Sequence, residues 1–271
     1  MFYCIICNNI NIFDDIEYKN KLKWPRDNLN CKNCNSNVRE RGMFLQLILN
    51  CDYKNKIIHE SSPNKNKYYH KKLLEQVPNY SFSYYFDNIE NGKYNEDNII
   101  CANLENLPFP NNSFDIFINL DVFEHIWDTI SGFKEIYRVL KDDGICIMTF
   151  PIDSGFNKTE KPVFKNNLNI INPTKVGKFK GYINNLEYHG NPVNNNKSMV
   201  THYWGYDVID IIKEYTNFIV EIKYLHNVEE FGIIGVMNEC FILKKQNTIN
   251  TTMLSSDKIN YYEKIDNINI P

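Results

Sequence analysis

The 271-residue chain has a single alanine, Ala102, only four arginines and no excess of positive charge. Asparagine instead fills 42 positions. This skew towards Asn, Ile, Lys and Tyr reads as a coding bias, so asparagine-rich patches are taken as surface. The net charge of −3 and the scarcity of arginine argue against a generally cationic, nucleic-acid-coating protein. No apolar run approaches the roughly 18 residues a membrane span requires, and Met1-Phe2-Tyr3-Cys4 lacks the basic start of a secretory signal. A cytoplasmic, reducing setting is therefore expected, where the 8 cysteines read as thiols or metal ligands before disulfides. With 43% apolar and 23% charged residues, wholesale disorder is excluded. The length fits one large domain, or a catalytic domain with a small appendage.

Charge is unevenly placed: residues 1–75 carry 13 Lys/Arg against 8 Asp/Glu, and the rest 17 against 25. A basic amino-terminal piece suits contact with phosphate or an anionic substrate, and equally suits a solvated lysine-rich face. Four cysteines form two pairs, Cys4-Ile5-Ile6-Cys7 and Cys31-Lys32-Asn33-Cys34, with 23 residues between them. Tetrahedral zinc takes four thiolates, and a two-residue spacer lets both sulfurs of one pair face the same ion. Residues 1–37 are thus expected to form a zinc-ribbon-like module in which Cys4, Cys7, Cys31 and Cys34 hold Zn2+, with a redox dithiol as the alternative. Four thiolates close the coordination sphere, so such a zinc is structural. Cys51, Cys101, Cys146 and Cys240 are isolated and read as core residues.

Residues 38–55 read as a connecting helix, with Phe44, Leu47 and Ile48 at helical spacing. Arg39 and Arg41 are available to an anion or to local acids. From residue 56 to 244 strands and helices alternate. Strands are expected at 56–60, 80–86, 99–101, 114–120, 144–150, 218–225 and 239–244, and helices at 65–77, 131–141 and 206–215. Such alternation predicts an α/β fold, a doubly wound, mostly parallel sheet whose ligand site lies at the strand carboxyl ends. The module and this body are expected to have separate cores. Residues 153–204 break the rhythm and read as a substrate-loop insertion. Residues 245–271 form a polar, aperiodic tail.

Three blocks carry a family likeness: Asn103-Leu104-Glu105-Asn106-Leu107-Pro108-Phe109 through Ser113-Phe114-Asp115, then Asp121-Val122-Phe123-Glu124-His125, then Arg138-Val139-Leu140-Lys141-Asp142-Asp143-Gly144. In order and spacing they resemble class I S-adenosylmethionine-dependent methyltransferases of the quinone-biosynthesis type, over residues 56–150 most clearly. The resemblance implies a Rossmann-like, seven-stranded sheet. It implies cofactor contacts from Glu60 to the methionine moiety, from Asn103 and Leu104 to the adenine, and from Asn119 and Asp121 at the end of the fourth strand. It also implies a ribose-binding acid after the second strand, where Ser83 and Asp87 both qualify. Glu124-His125 resembles a structural bracket, with a catalytic His125 as the alternative.

The sequence departs from that family where a glycine-rich turn is usual. Glu60-Ser61-Ser62-Pro63-Asn64 stands there, and Ser61 and Ser62 must do what glycine does at positive φ. In the insertion, Tyr188-His189-Gly190-Asn191-Pro192 offers His189 as a general base over the transferred methyl group, with His202 competing and a backbone-bonded loop histidine as the bland reading. The function expected is methyl transfer from S-adenosylmethionine to a small-molecule or glycan acceptor, at oxygen or nitrogen. An RNA methyltransferase that uses its zinc module for recognition is one alternative, and a non-catalytic binding protein of the same fold is the other.

Overall fold

A computed structural model describes residues 1–152, 158–161, 164–166, 169–171, 187–191, 197–225 and 227–246. More than half of the expected insertion, and the tail from residue 247, lie outside the described residues. The body is built on seven strands: β1 (Ile58–Ser61), β2 (Tyr80–Tyr84), β3 (Ile100–Cys101), β4 (Phe114–Leu120), β5 (Leu140–Thr149), β6 (Phe218–Tyr224) and β7 (Glu239–Lys245). Their order across the sheet is β6-β7-β5-β4-β1-β2-β3, and β7 alone runs antiparallel to both its neighbours. The mostly parallel sheet expected from the alternation is present. Helices α1 (Val38–Asn50), α2 (Tyr68–Gln76), α3 (Thr129–Val139) and α4 (Val208–Tyr215) accompany it. Apolar clusters cover both faces, which is why β4, Phe-Asp-Ile-Phe-Ile-Asn-Leu, is an almost unbroken apolar run. Among the described residues no helix is long and apolar enough to cross a membrane.

Local chemistry sets the element ends. Asn37 and Glu40 form a reciprocal capping box that starts α1, with Glu40 N donating to Asn37 Oδ1 at 2.9 Å and Asn37 N to Glu40 Oε2 at 3.0 Å. On α3 the spacing of Phe133, Ile136 and Val139 buries one face as expected. The helix stops at Val139, earlier than the periodicity suggested, because Leu140 already pairs with Phe114 in the sheet. A register shift between Phe114 and Ile116, with Asp143 at φ 62°, absorbs the extra residues and lets β5 begin early.

The expectation of separate cores is corrected. One buried cluster joins Phe2, Cys4, Ile6 and Leu29 of the amino-terminal module to Phe44 and Leu47 of α1 and to Ile58, Ile118, Ile147 and Ile242 of the sheet. Arg41 explains part of this union. Among the described residues its buried guanidinium pairs with no acid but donates to the carbonyls of Leu29 (2.8 Å), Ser36 (2.6 Å), Phe231 (3.0 Å) and Gly232 (2.7 Å). Gly232 sits at φ 62°, where a Cβ would come within 2.5 Å of the Phe2 ring, so only glycine lets this turn close on the module.

Candidate functional site

The strand order reverses between β1 and β4, where connections leave the sheet in opposite directions and a crevice opens at the carboxyl ends. A cleft of about 1370 Å³ lies there. Its floor is made where two chain turns leave their strands in the left-handed region without glycine, Ser62 at φ 55° and Asp121 at φ 52°. Ser62 thus adopts the conformation for which glycine is usual, held by its N–H donating to Ser83 O at 2.8 Å.

Most of the residues singled out from the sequence line this cleft: Ser61, Ser62, Asp87, Asn103, Leu104, Asp121, His125, His189 and His202. Asn103 closes a short turn, its Oδ1 accepting from Glu105 N at 2.9 Å, which leaves that oxygen a second lone pair. Asp87 is exposed on the wall beyond β2. Three others lie behind the cleft wall. Glu60 is fully buried and accepts from the hydroxyls of Tyr69 (2.8 Å) and Tyr80 (2.5 Å). Ser83 is bonded to His59 Nε2 at 2.9 Å, and burial among aromatic rings pushes that histidine down to about 3, keeping it neutral. Asn119 is buried in β4, and among the described residues neither polar atom of its side chain has a hydrogen-bond partner.

On one side of the cleft, two arginines from the amino-terminal end close on one carboxylate. Arg26, in the short helix Pro25–Asn28, donates to Asp121 Oδ2 at 2.5 Å, and Arg39 in the first turn of α1 donates to the same oxygen. Thr149 Oγ1 donates to Asp121 Oδ1 at 2.8 Å. Burial opposes the charge on Asp121, but the two guanidinium groups outweigh it and hold the carboxyl well below the usual range. Sequence reasoning had assigned Arg26 nothing, because its partner lies 95 residues away.

Three residues further along the chain come Glu124 and His125, joined on the cleft by His189. Glu124 is fully buried, and neither carboxylate oxygen has a hydrogen-bond partner among the described residues. Burial, with Asp121 adding to it, pushes Glu124 up to about 8. The His125 and His189 rings meet edge to face at 5.0 Å. Burial pushes His125 down to about 4, whereas a hydrogen bond to Glu187 raises His189 above its usual value. Strand Lys197–Met199 and the residues after it carry this wall, since Thr201 N donates to Glu124 O at 2.7 Å. His202 stacks on Trp204 at 5.1 Å, and burial pushes it down to about 3.

The four paired cysteines gather elsewhere, in the module. Each knuckle is followed by an asparagine in the left-handed region, Asn8 at φ 59° and Asn35 at φ 56°, whose N–H returns to the first cysteine's carbonyl at 2.8 and 2.9 Å. The two loops therefore turn alike and aim four sulfurs inward. Cys4 and Cys34 Sγ are 3.7 Å apart, Cys7 and Cys31 Sγ 3.6 Å. Sulfurs at ~2.3 Å from one tetrahedral ion stand about 3.8 Å apart. The buried Arg41 charge acts on Cys4, Cys31 and Cys34, while burial pushes the Cys7 thiol up to about 11 and the hydrogen bond between Cys31 and Cys34 holds Cys31 down and Cys34 up.

With this geometry in hand, comparison with known proteins is informative about the body. Residues 65–148 match the family described as "Methyltransferase domain". A probable S-adenosylmethionine-dependent methyltransferase of Mycobacterium tuberculosis is 36% identical over 59 residues, 22% of each chain. One from Mycolicibacterium smegmatis is likewise 36% identical over 59 residues, 22% of this chain and 23% of that one. The match thus spans about a fifth of the length of these curated relatives. Among solved structures, an S-adenosylmethionine-dependent methyltransferase from Mesorhizobium loti aligns over 77% of this chain and 98% of its own, at 10% identity and a TM-score of 0.47. The 1,6-didemethyltoxoflavin-N1-methyltransferase of Burkholderia thailandensis aligns over 85% and 84%, at 9% identity and a TM-score of 0.46. The matched domain and the strand order together give the body a methyltransferase-type, Rossmann-like α/β fold.

Proposed function

We propose that this protein transfers the methyl group of S-adenosylmethionine to a small-molecule acceptor. One observation carries the reading: the cleft opens at the carboxyl ends of β1 and β4, and β4 with the lining residues Asp87, Asn103, Leu104 and Asp121 falls within residues 65–148, the stretch that matches the methyltransferase domain. Its volume of about 1370 Å³ exceeds the roughly 300–1,000 Å³ of a single-ligand pocket, so a cofactor and an acceptor fit together. Asn103 and Leu104 would hold the adenine. Asp87, the acid on the wall beyond β2, would bind the ribose hydroxyls, and the Ser61-Ser62 turn would face the methionine end. Bound there, S-adenosylmethionine supplies an electrophilic methyl group on a sulfonium sulfur. The chain's own part is to hold the acceptor in line with it, a proximity effect, and to receive the acceptor's proton. Glu124, His125 and His189 are among the polar groups that line the cleft.

The small-molecule reading is favoured over RNA by the fate of the arginines. Arg26 and Arg39 are bound to Asp121, Arg41 to four carbonyls, and Arg138 to Glu135 and the carbonyls of Leu107 and Phe109. With the arginines so engaged among the described residues, any contact with phosphates falls to lysines. A structural Zn2+ on Cys4, Cys7, Cys31 and Cys34 is part of the same proposal, supported by the sulfur spacing. Calorimetric titration with S-adenosylhomocysteine tests the reading. One equivalent should bind, and Asp87→Ala should weaken it about tenfold or more, as expected for a lost charged hydrogen bond of ~1.5–3 kcal/mol. Heat that never departs from dilution would overturn the enzyme reading in favour of a non-catalytic protein of the same fold.

A further inference from the structure

We propose that Glu124, His125 and His189 form a mononuclear site for a divalent transition cation, distinct from the four cysteines, whose open positions take the acceptor's oxygen. The second half of this statement rests on the methyl-transfer reading above; the first does not. The trio comes from two distant segments and converges on one point. Glu124 Oε1 lies 3.8 Å from His125 Nε2 and 3.8 Å from His189 Nδ1, and the three ligand atoms all lie within 4.8 Å of one another. Ligands about 2.1 Å from one ion stand roughly 3.0–3.5 Å apart, so closing on a cation asks for sub-ångström shifts.

The far nitrogens of both rings are already committed. His125 Nδ1 lies 2.9 Å from Met199 O, and His189 Nε2 lies 3.2 Å from Glu187 Oε1. A carbonyl only accepts, and so does an ionised carboxylate, so those nitrogens carry the hydrogens. In the neutral rings His125 Nε2 and His189 Nδ1 are then lone pairs, both turned towards Glu124. Metal-binding imidazoles are oriented by this kind of outer hydrogen bond. Independently, Glu124 is fully buried and its carboxylate oxygens find no hydrogen-bond partner from another residue among the described residues, which is costly unless a charge meets it. Asp121 cannot be that partner, and its own charge is spent on Arg26, Arg39 and Thr149.

Two imidazoles and one carboxylate suit manganese, iron, cobalt or zinc better than magnesium or calcium, which prefer oxygen throughout. Three protein ligands leave positions open, and all three residues line the cleft, so those positions face the acceptor's space. An acceptor hydroxyl bound there would give up its proton to solvent in the open cleft more readily, the service a Lewis acid supplies to a hydroxyl nucleophile.

The test uses the full chain loaded with one equivalent of Zn2+, which the thiolates take first. Mn2+ is then titrated and its free aqueous signal followed by electron paramagnetic resonance. One Mn2+ per chain should bind, and Glu124→Gln and His189→Ala should each weaken it at least about tenfold. His189 sits on an outer strand with a partly exposed ring, so the His189→Ala variant reports even where Glu124→Gln misfolds. No uptake by the wild type, or equal uptake by wild type and both variants, overturns the site. S-adenosylhomocysteine titration of the same samples separates the two readings. Cofactor binding without Mn2+ removes only the metal site, whereas Mn2+ uptake without cofactor binding keeps the site and removes its role with an acceptor.

Discussion

Asp121→Asn should destabilise the fold by about 3 kcal/mol at pH 7, near the lower end of what breaking a buried ion pair costs. The reason lies in one carboxylate serving two cations. Asp121 Oδ2 accepts from both Arg26 and Arg39, whose side chains are 9% and 23% exposed, while Asp121 itself is 13% exposed. Asparagine preserves the shape and one acceptor oxygen but leaves two guanidinium groups facing each other without a counter-charge. Arg39→Gln should cost less, because Arg26 then keeps a partner. The pH dependence follows from the depressed carboxyl. Its stabilisation is in place above the ordinary aspartate value near ~3.9 and is lost as pH falls through the lower folded value. The gap between wild type and Asp121→Asn should therefore hold from pH 7 to about 5 and shrink below about 4. Urea unfolding followed by far-ultraviolet circular dichroism reads both quantities. A difference under about 1 kcal/mol at pH 7, or one that does not narrow in acid, would refute the clamp as a stabilising element.

Three further expectations concern the other sites. Elemental analysis should find zinc in the wild-type chain and a clear loss in Cys31→Ser, and undiminished zinc would sink the four-cysteine assignment. Because the module shares a core with the sheet, chelation should lower the stability of the whole fold in one transition; a sheet that melts unchanged contradicts that. In metal-free protein the raised Glu124 carboxyl means stability is full below about 4.5 and is lost as pH rises through about 8. Glu124→Gln should thus match wild type in stability at pH 4 and exceed it increasingly towards pH 8, and a constant difference across that window refutes the burial argument. His189→Ala should depress turnover while leaving S-adenosylhomocysteine affinity nearly unchanged, the mark of an interaction made with acceptor or transition state; equal losses in both would move His189 to the cofactor.

Elements governed by short-range pattern were legible in the sequence. The apolar run Phe114–Leu120 became β4 with the expected bounds, and the alternation around it gave the mostly parallel sheet, because burial on both faces leaves its imprint on every residue of a central strand. The two Cys-x-x-Cys pairs announced themselves for the same reason, since the spacer that aims two sulfurs at one point is local. Asn103, Leu104 and Asp121 were found on the cleft because strand ends mark where a doubly wound sheet opens. What the chain order could not express was which side chains meet across it. Glu60 ends a strand at the crevice, yet two tyrosine hydroxyls, from α2 and β2, turn its carboxylate into the interior. Asp121 receives its arginines from 82 and 95 residues upstream, and the amino-terminal module proved to be part of the sheet's own core. Glu124-His125 reads as a structural bracket, with a catalytic His125 as the alternative, until His189 arrives from the insertion. Pairing of this kind depends on packing geometry between distant segments, and no periodicity within either segment encodes it.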